Sequence, residues 1–257
     1  METEKKMQTT KSVPRTDLNA MVPDVMRHDT WKEDKVAGFK KIMPALMDKG
    51  IDNIDFSMFS EELRQQLLNE MGEEYIKKGK LPEAVKAFLL TRNNEKLTVV
   101  AEDYVKVGMF DKAIDIFNLA GNKKRLYQLG DQCLIEGHLA ESIKAFRLLG
   151  DRDKLLKVGD VCVEKEKFEF AIEVFKALGS KEKLIATGNL CLEQGKYPYA
   201  SQAFELVGDK DLLNKLGDTL LREGLFTIAE IAYKAAHNEM MVEFIKSNFE
   251  GRRSLLE

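Results

Sequence analysis

Cysteine is scarce in this chain, with three among 257 residues, and so are proline (five), histidine (three) and tryptophan (one). A small, odd number of thiols excludes a disulfide framework and suits a reducing compartment. So few prolines leave long stretches free to form helices. No apolar run approaches the roughly 20 residues that a membrane-spanning helix needs. The opening METEKKMQTTKSVPRTD is too polar for a secretory leader. Charge of one sign is missing too: 40 basic residues face 43 acidic ones, a formal net charge of -3. That balance excludes a protein whose affinity rests on neutralising phosphates, so no nucleic-acid partner is expected. These absences together predict a cytoplasmic protein with no membrane insertion.

What the sequence does have is periodicity. From Gly72 to Ile245 it divides into six 29-residue units without a gap. The units begin at Gly72, Ala101, Gly130, Gly159, Gly188 and Gly217. Three residues later come Tyr75, Tyr104, Cys133, Cys162, Cys191 and Leu220. Small residues recur at Ala84, Ala113, Ser142, Ala171, Ala200 and Ala229, and aromatic ones at Phe88, Phe117, Phe146, Phe175, Phe204 and Tyr233. Repeats at such a period signal stacked supersecondary units.

Each unit holds two helical stripes. Leu155, Val158, Gly159 and Cys162 share one helix face, and Phe168, Ala171, Ile172 and Phe175 repeat their spacing. Between the stripes stand Gly79, Gly108, Gly137, Gly195 and Gly224, residue types that close a helix in the left-handed conformation. Glu166 fills that slot in the fourth unit. After the second stripe, Gly121-Asn122, Gly150-Asp151, Gly179-Ser180 and Gly208-Asp209 each stop one helix and cap the next. Pro82 and Pro198 fall in first turns, where a missing N–H costs nothing. Each unit is therefore a hairpin of helix A and helix B. Its head glycine lets A approach B, and its Phe is expected to fill the gap toward the next hairpin. One hairpin cannot bury both stripes, whereas a stack can.

The pattern resembles the tetratricopeptide (TPR) repeat. Leu126, Leu129, Gly130 and Cys133 match that family's first helix, and Gly137, Leu139, Ser142, Ala145 and Phe146 its second. The family period is about 34 residues; here the missing residues fall after helix B. The short hairpins also look like the solenoid arms of coatomer and ciliary-transport subunits. The expected fold is an all-α, right-handed α-solenoid of six stacked helical hairpins with helical end caps.

At the ends, residues 1–28 lack periodicity and read as a disordered tail. Residues 29–60 read as an N-terminal helical cap, with a helix from Trp31 that Pro44 bends or ends. Ser60 starts the solenoid's first helix, and the solenoid extends over 61–237. Residues 238–257 form a C-terminal cap, begun by Asn238 and followed by Arg252 and Arg253. A polar outer face is expected of such a cap.

Two ladders invite a chemical reading. Cys133, Cys162 and Cys191 lie one per hairpin on the buried stripe, which suits core packing rather than ligands converging at about 2 Å. Neither His28, His138 nor His237 pairs with a Cys at a ligand spacing, and no phosphate loop or HExxH appears. No metal, cofactor or catalytic constellation is expected. The second ladder is polar: Glu73, Glu102, Asp131, Asp160, Asn189 and Asp218, followed four residues on by Lys77, Lys106, Ile135, Glu164, Glu193 and Arg222. At the ends these read as i,i+4 ion pairs on a solvated helix. In the middle, Asp131, Asp160, Glu164 and Glu193 have no basic residue four on. They are either ordinarily solvated or an acidic patch that concentrates a basic partner.

The resemblance implies that this ladder lines a concave surface that binds peptides. Its expected centre is Glu102, Asp131, Ile135, Asp160, Glu164, Asn189 and Glu193. The family's Lys/Asn clamp for a carboxylate terminus is absent, so an acidic C-terminal tail is not the expected ligand. The expected function is a non-enzymatic scaffold or adaptor for a protein or peptide of basic character. The alternative is a coat-like subunit assembling through its solenoid ends.

Overall fold

The computed structural model describes residues 34–57 and 59–249. The expected tail at 1–28, the helix start at Trp31, and Arg252 and Arg253 lie outside them. The described residues form fourteen α-helices and one short 3-10 turn, with no strand among them. Within each compact unit the helices pack on their neighbours along the chain, the arrangement of an α-solenoid. The chain divides into two compact units, Met1–Val107 and Gly108–Glu257.

The first unit contains α1 (Asp34–Lys49), the 3-10 turn Ile51–Asn53, α2 (Glu61–Lys77), α3 (Leu81–Leu90) and α4 (Asn94–Lys106). Pro44 does not end α1, which continues to Lys49. Ile42, Met43, Leu46 and Met47 are buried on both sides of it. Burial at about 1.5–3 kcal/mol per side chain outweighs the roughly 3 kcal/mol that an interior proline costs. Ser60 caps α2 as expected, its hydroxyl accepting from Leu63 N at 3.3 Å.

The second unit contains α5 (Phe110–Leu119), α6 (Lys123–Glu136), α7 (Leu139–Leu149), α8 (Arg152–Glu164), α9 (Phe168–Leu178), α10 (Lys181–Glu193), α11 (Tyr197–Val207), α12 (Lys210–Arg222), α13 (Phe226–Ala235) and α14 (Glu239–Phe249). Helices α6/α7, α8/α9, α10/α11 and α12/α13 pair as hairpins, and each A helix also packs on the preceding B helix. The B helices of successive hairpins approach one another as well, α5 to α7, α7 to α9 and α9 to α11, more closely than the A helices do.

Both turns keep one geometry throughout. Between A and B, Gly79, Gly108, Gly137, Gly195 and Gly224 all have φ of 68–87°, and Glu166 matches them at 55°. Between B and A, Arg92 (52°) and His237 (56°) stand where the other units place Gly121, Gly150, Gly179 and Gly208. A non-glycine residue held left-handed costs about 1–2 kcal/mol, partly offset by the freedom glycine adds to the unfolded chain. Glu166→Gly is therefore expected to raise stability by about 0.5–1 kcal/mol in urea unfolding. A fall in midpoint would mean that Glu166 makes a compensating contact.

Asn93, Asn122, Asp151, Asp209 and Asn238 cap the A helices through their side-chain oxygens. Ser180 holds the same position without a capping hydrogen bond, a correction to the expected pattern. The recurring aromatic shares buried clusters with the following hairpin, Phe146 with Leu155 and Val158 and Phe204 with Leu213 and Leu216. It also lies against the head glycine of its own hairpin: a Cβ on Gly159 would lie 2.5 Å from the Phe175 ring, and one on Gly188 2.5 Å from Phe204. The glycine thus seats the ring within the hairpin, and Phe88, Phe146, Phe175 and Phe204 are fully buried. The closing helix departs from a polar outer face as well. Met240 is 75% and Phe244 45% exposed on α14, and Ile231 on α13 is 53% exposed. In earlier repeats their positions hold Asp211, Lys215 and Gln202.

Candidate functional site

The polar ladder sits at the surface of the A helices, but its partners are not those expected. Lys77 pairs with Glu74 at 2.6 Å and Lys106 with Asp103 at 2.7 Å, so neither makes the i,i+4 pair. Arg222 donates to the backbone carbonyl of Asp218, whose carboxylate instead accepts from the Tyr233 hydroxyl at 2.6 Å. Burial, together with that bond to a carboxylate, raises the pKa of Tyr233.

The middle of the ladder is not unpaired. Lys154 Nζ lies 2.6 Å from Asp131, and Lys183 Nζ 2.7 Å from Asp160. In the first unit Lys96 likewise holds Glu73 at 2.6 Å. Each bridge links an A helix to the first turn of the next one, 23 residues on. That spacing is a readable signal: Lys96, Arg125, Lys154 and Lys183 occupy one slot in four successive repeats. The slot then holds Leu212, where the ladder residue is the neutral Asn189, and Met241, where Asp218 is taken by Tyr233. The charge pattern therefore follows the stack itself. Such partly exposed pairs contribute about 0–1 kcal/mol each. The ammonium of Lys154 also lies 4.9 Å from the Tyr127 ring centre, a cation–π contact across the same seam.

Asp131 and Asp160 thus leave the expected acidic centre. Glu102 lies in the first unit and is itself engaged. Ile135, Glu164, Asn189 and Glu193 remain. Ile135 is 83% exposed, in a slot where the other repeats carry Lys77, Lys106, Glu164, Glu193 and Arg222. Glu164 and Glu193 are exposed, and among the described residues no ion pair engages them.

Between α8 and α10 the A face opens into a furrow, with Asp160, Val163 and Glu164 on one wall. Lys183, Ala186, Thr187 and Leu190 form the other, and Phe175 of α9 makes the floor. The tighter helix spacing in this unit is on the B side. Neighbouring A helices stand further apart than neighbouring B helices in this unit.

The thiols offer no chemistry of their own. Cys133, Cys162 and Cys191 are free and fully buried. Burial pushes Cys133 up to about 12, and Cys162 and Cys191 to about 11. Each is a neutral thiol at physiological pH, the opposite of an activated nucleophile. Among the described residues no three His, Cys, Asp or Glu side chains converge on a metal position, and no helix is long and apolar enough to cross a membrane. No protein-family model matches the chain, and no curated protein matches it either.

Proposed function

We propose that the chain is a non-enzymatic scaffold or adaptor that binds a protein partner on the A-helix face of its second unit, in a reducing, cytoplasmic setting. The observation that carries this reading is Ile135. Its branched aliphatic side chain is 83% exposed in a slot that the other repeats give to charged residues, an apolar contact point open to a partner. Glu164 and Glu193 flank the same face and favour a partner with basic residues.

The combined variant Ile135→Asp, Glu164→Lys, Glu193→Lys tests this reading. All three positions are exposed, so helicity and urea midpoint are expected to stay unchanged. Partners captured from the native host by the immobilised wild-type protein, and identified by mass spectrometry, are expected to be lost. Capture that persists undiminished removes the A face from the interaction. Asp131 and Asp160 are left intact, because their replacement also breaks bridges between hairpins.

The alternative, assembly through a solenoid end, is favoured by the apolar replacement of Asp211, Lys215 and Gln202 by Met240, Phe244 and Ile231. Molar mass as a function of concentration separates the two: a monomer at every concentration removes self-assembly.

A further inference from the structure

The furrow between α8 and α10 has a shortened position of the repeat, Ala186, on one wall. Ala186 stands where three other repeats carry the longer Gln128, Lys157 and Lys215. Thr187 stands where Leu129, Val158 and Leu216 fill the corresponding core position. The short Ala186 side chain leaves the half-buried Val163 and Leu190 reachable at this seam, above the closed layer of Thr187 and Phe175.

The chemistry of the recess is specific. The Thr187 hydroxyl donates to Lys183 O at 2.8 Å, so it asks nothing of a ligand. The Lys183 ammonium is already held by Asp160 at 2.7 Å. Half-buried Val163 and Leu190 and the ring of Phe175 make the interior apolar. The charge left at the mouth is Glu164, which no ion pair engages among the described residues.

We propose that this recess takes one branched aliphatic side chain, Leu, Ile or Val, from a segment of a protein partner, with an adjacent Lys or Arg of that segment pairing with Glu164. The assignment rests on the A-face reading above and narrows it to one seam and one class of sequence. The aliphatic group covers the accessible faces of Val163, Ala186 and Leu190, and the cation meets Glu164, which no ion pair engages among the described residues.

The test is methyl and amide NMR of the full chain with three nine-residue peptides. One has Arg-Leu-Arg at its centre, one Arg-Ala-Arg and one Glu-Leu-Glu. The Arg-Leu-Arg peptide is expected to shift Val163, Thr187 and Leu190, with the other two binding at least tenfold more weakly. Ala186→Lys restores the side chain of the neighbouring repeats at an exposed position. It is expected to keep the spectrum of the folded protein and to weaken the Arg-Leu-Arg peptide at least tenfold. Unchanged binding by that variant, equal binding of the three peptides, or shifts centred on Ile135 would overturn the recess while leaving the A face as the binding surface. Absence of shifts anywhere on the A helices would remove both.

Discussion

Phe175→Ala is expected to lower stability by about 3–5 kcal/mol, the usual cost of emptying a fully buried aromatic site. The ring is wholly inaccessible to solvent and lies against Gly159 of its own hairpin. In a protein of this size each kcal/mol moves the melting temperature by about 2–4 °C, so a loss on the order of 10 °C is expected. Hydrogen exchange across α8, α9 and α10 should accelerate most, because repeat stability is a sum of local and nearest-neighbour terms. The glycine is the other half of the contact. Gly159→Ala puts a Cβ 2.5 Å from the ring and is expected to cost about 1–3 kcal/mol. Gly130→Ala meets its nearest neighbours at 3.1 Å and is expected to cost less. In a Phe175→Leu background the Gly159→Ala penalty should shrink, a coupling that a double-mutant cycle measures. Equal costs at Gly159 and Gly130 would show that the ring does not set the helix spacing.

Alkaline solution is expected to begin destabilising the protein below the pH at which surface lysines titrate. The folded-state pKa of Cys133 is about 12, and those of Cys162 and Cys191 about 11, all above the ordinary thiol value. The folded state therefore holds these protons more tightly than the unfolded chain does. The stabilisation is fully present below about pH 8.5, declines as pH rises past the unfolded thiol value, and is gone above the folded values. Burial raises Tyr75, Tyr104 and Tyr233 in the same direction, which extends the decline. The unfolding free energy from urea titrations should stay flat from pH 7 to 8.5 and then fall by several kcal/mol toward pH 11. Replacing all three cysteines by Val keeps the slots apolar and should remove much of that slope. If the triple variant and the wild type decline in parallel above pH 9, the thiols are not the groups responsible. The same burial predicts that the native thiols react with an aromatic disulfide reagent at pH 8 at least a hundredfold more slowly than in urea.

The fold was legible because the 29-residue period repeats both stripes and both turns. Even the exceptions kept register: Glu166 adopts the left-handed turn of the glycines it replaces, since the hairpin on either side of it dictates that geometry. The candidate site was less legible. A search four residues along one helix could not find Lys154 and Lys183, whose bridges depend on where the next hairpin docks. The expectation that Asp131 and Asp160 lacked partners failed for that reason. Ile135 was visible as an odd residue in its slot, but its exposure depended on the packed stack. The recess between α8 and α10 depended on where Ala186 of one helix stands relative to Val163 of its neighbour, which a single slot compared in isolation does not show.

The close packing of the second unit runs between neighbours along the chain. Mechanical tension therefore meets no long-range clasp in it. Pulled apart, such an array yields one hairpin at a time, each releasing about 100 Å of chain for its 29 residues. Under load the unit is expected to lengthen in steps and to rewind from whichever hairpins remain.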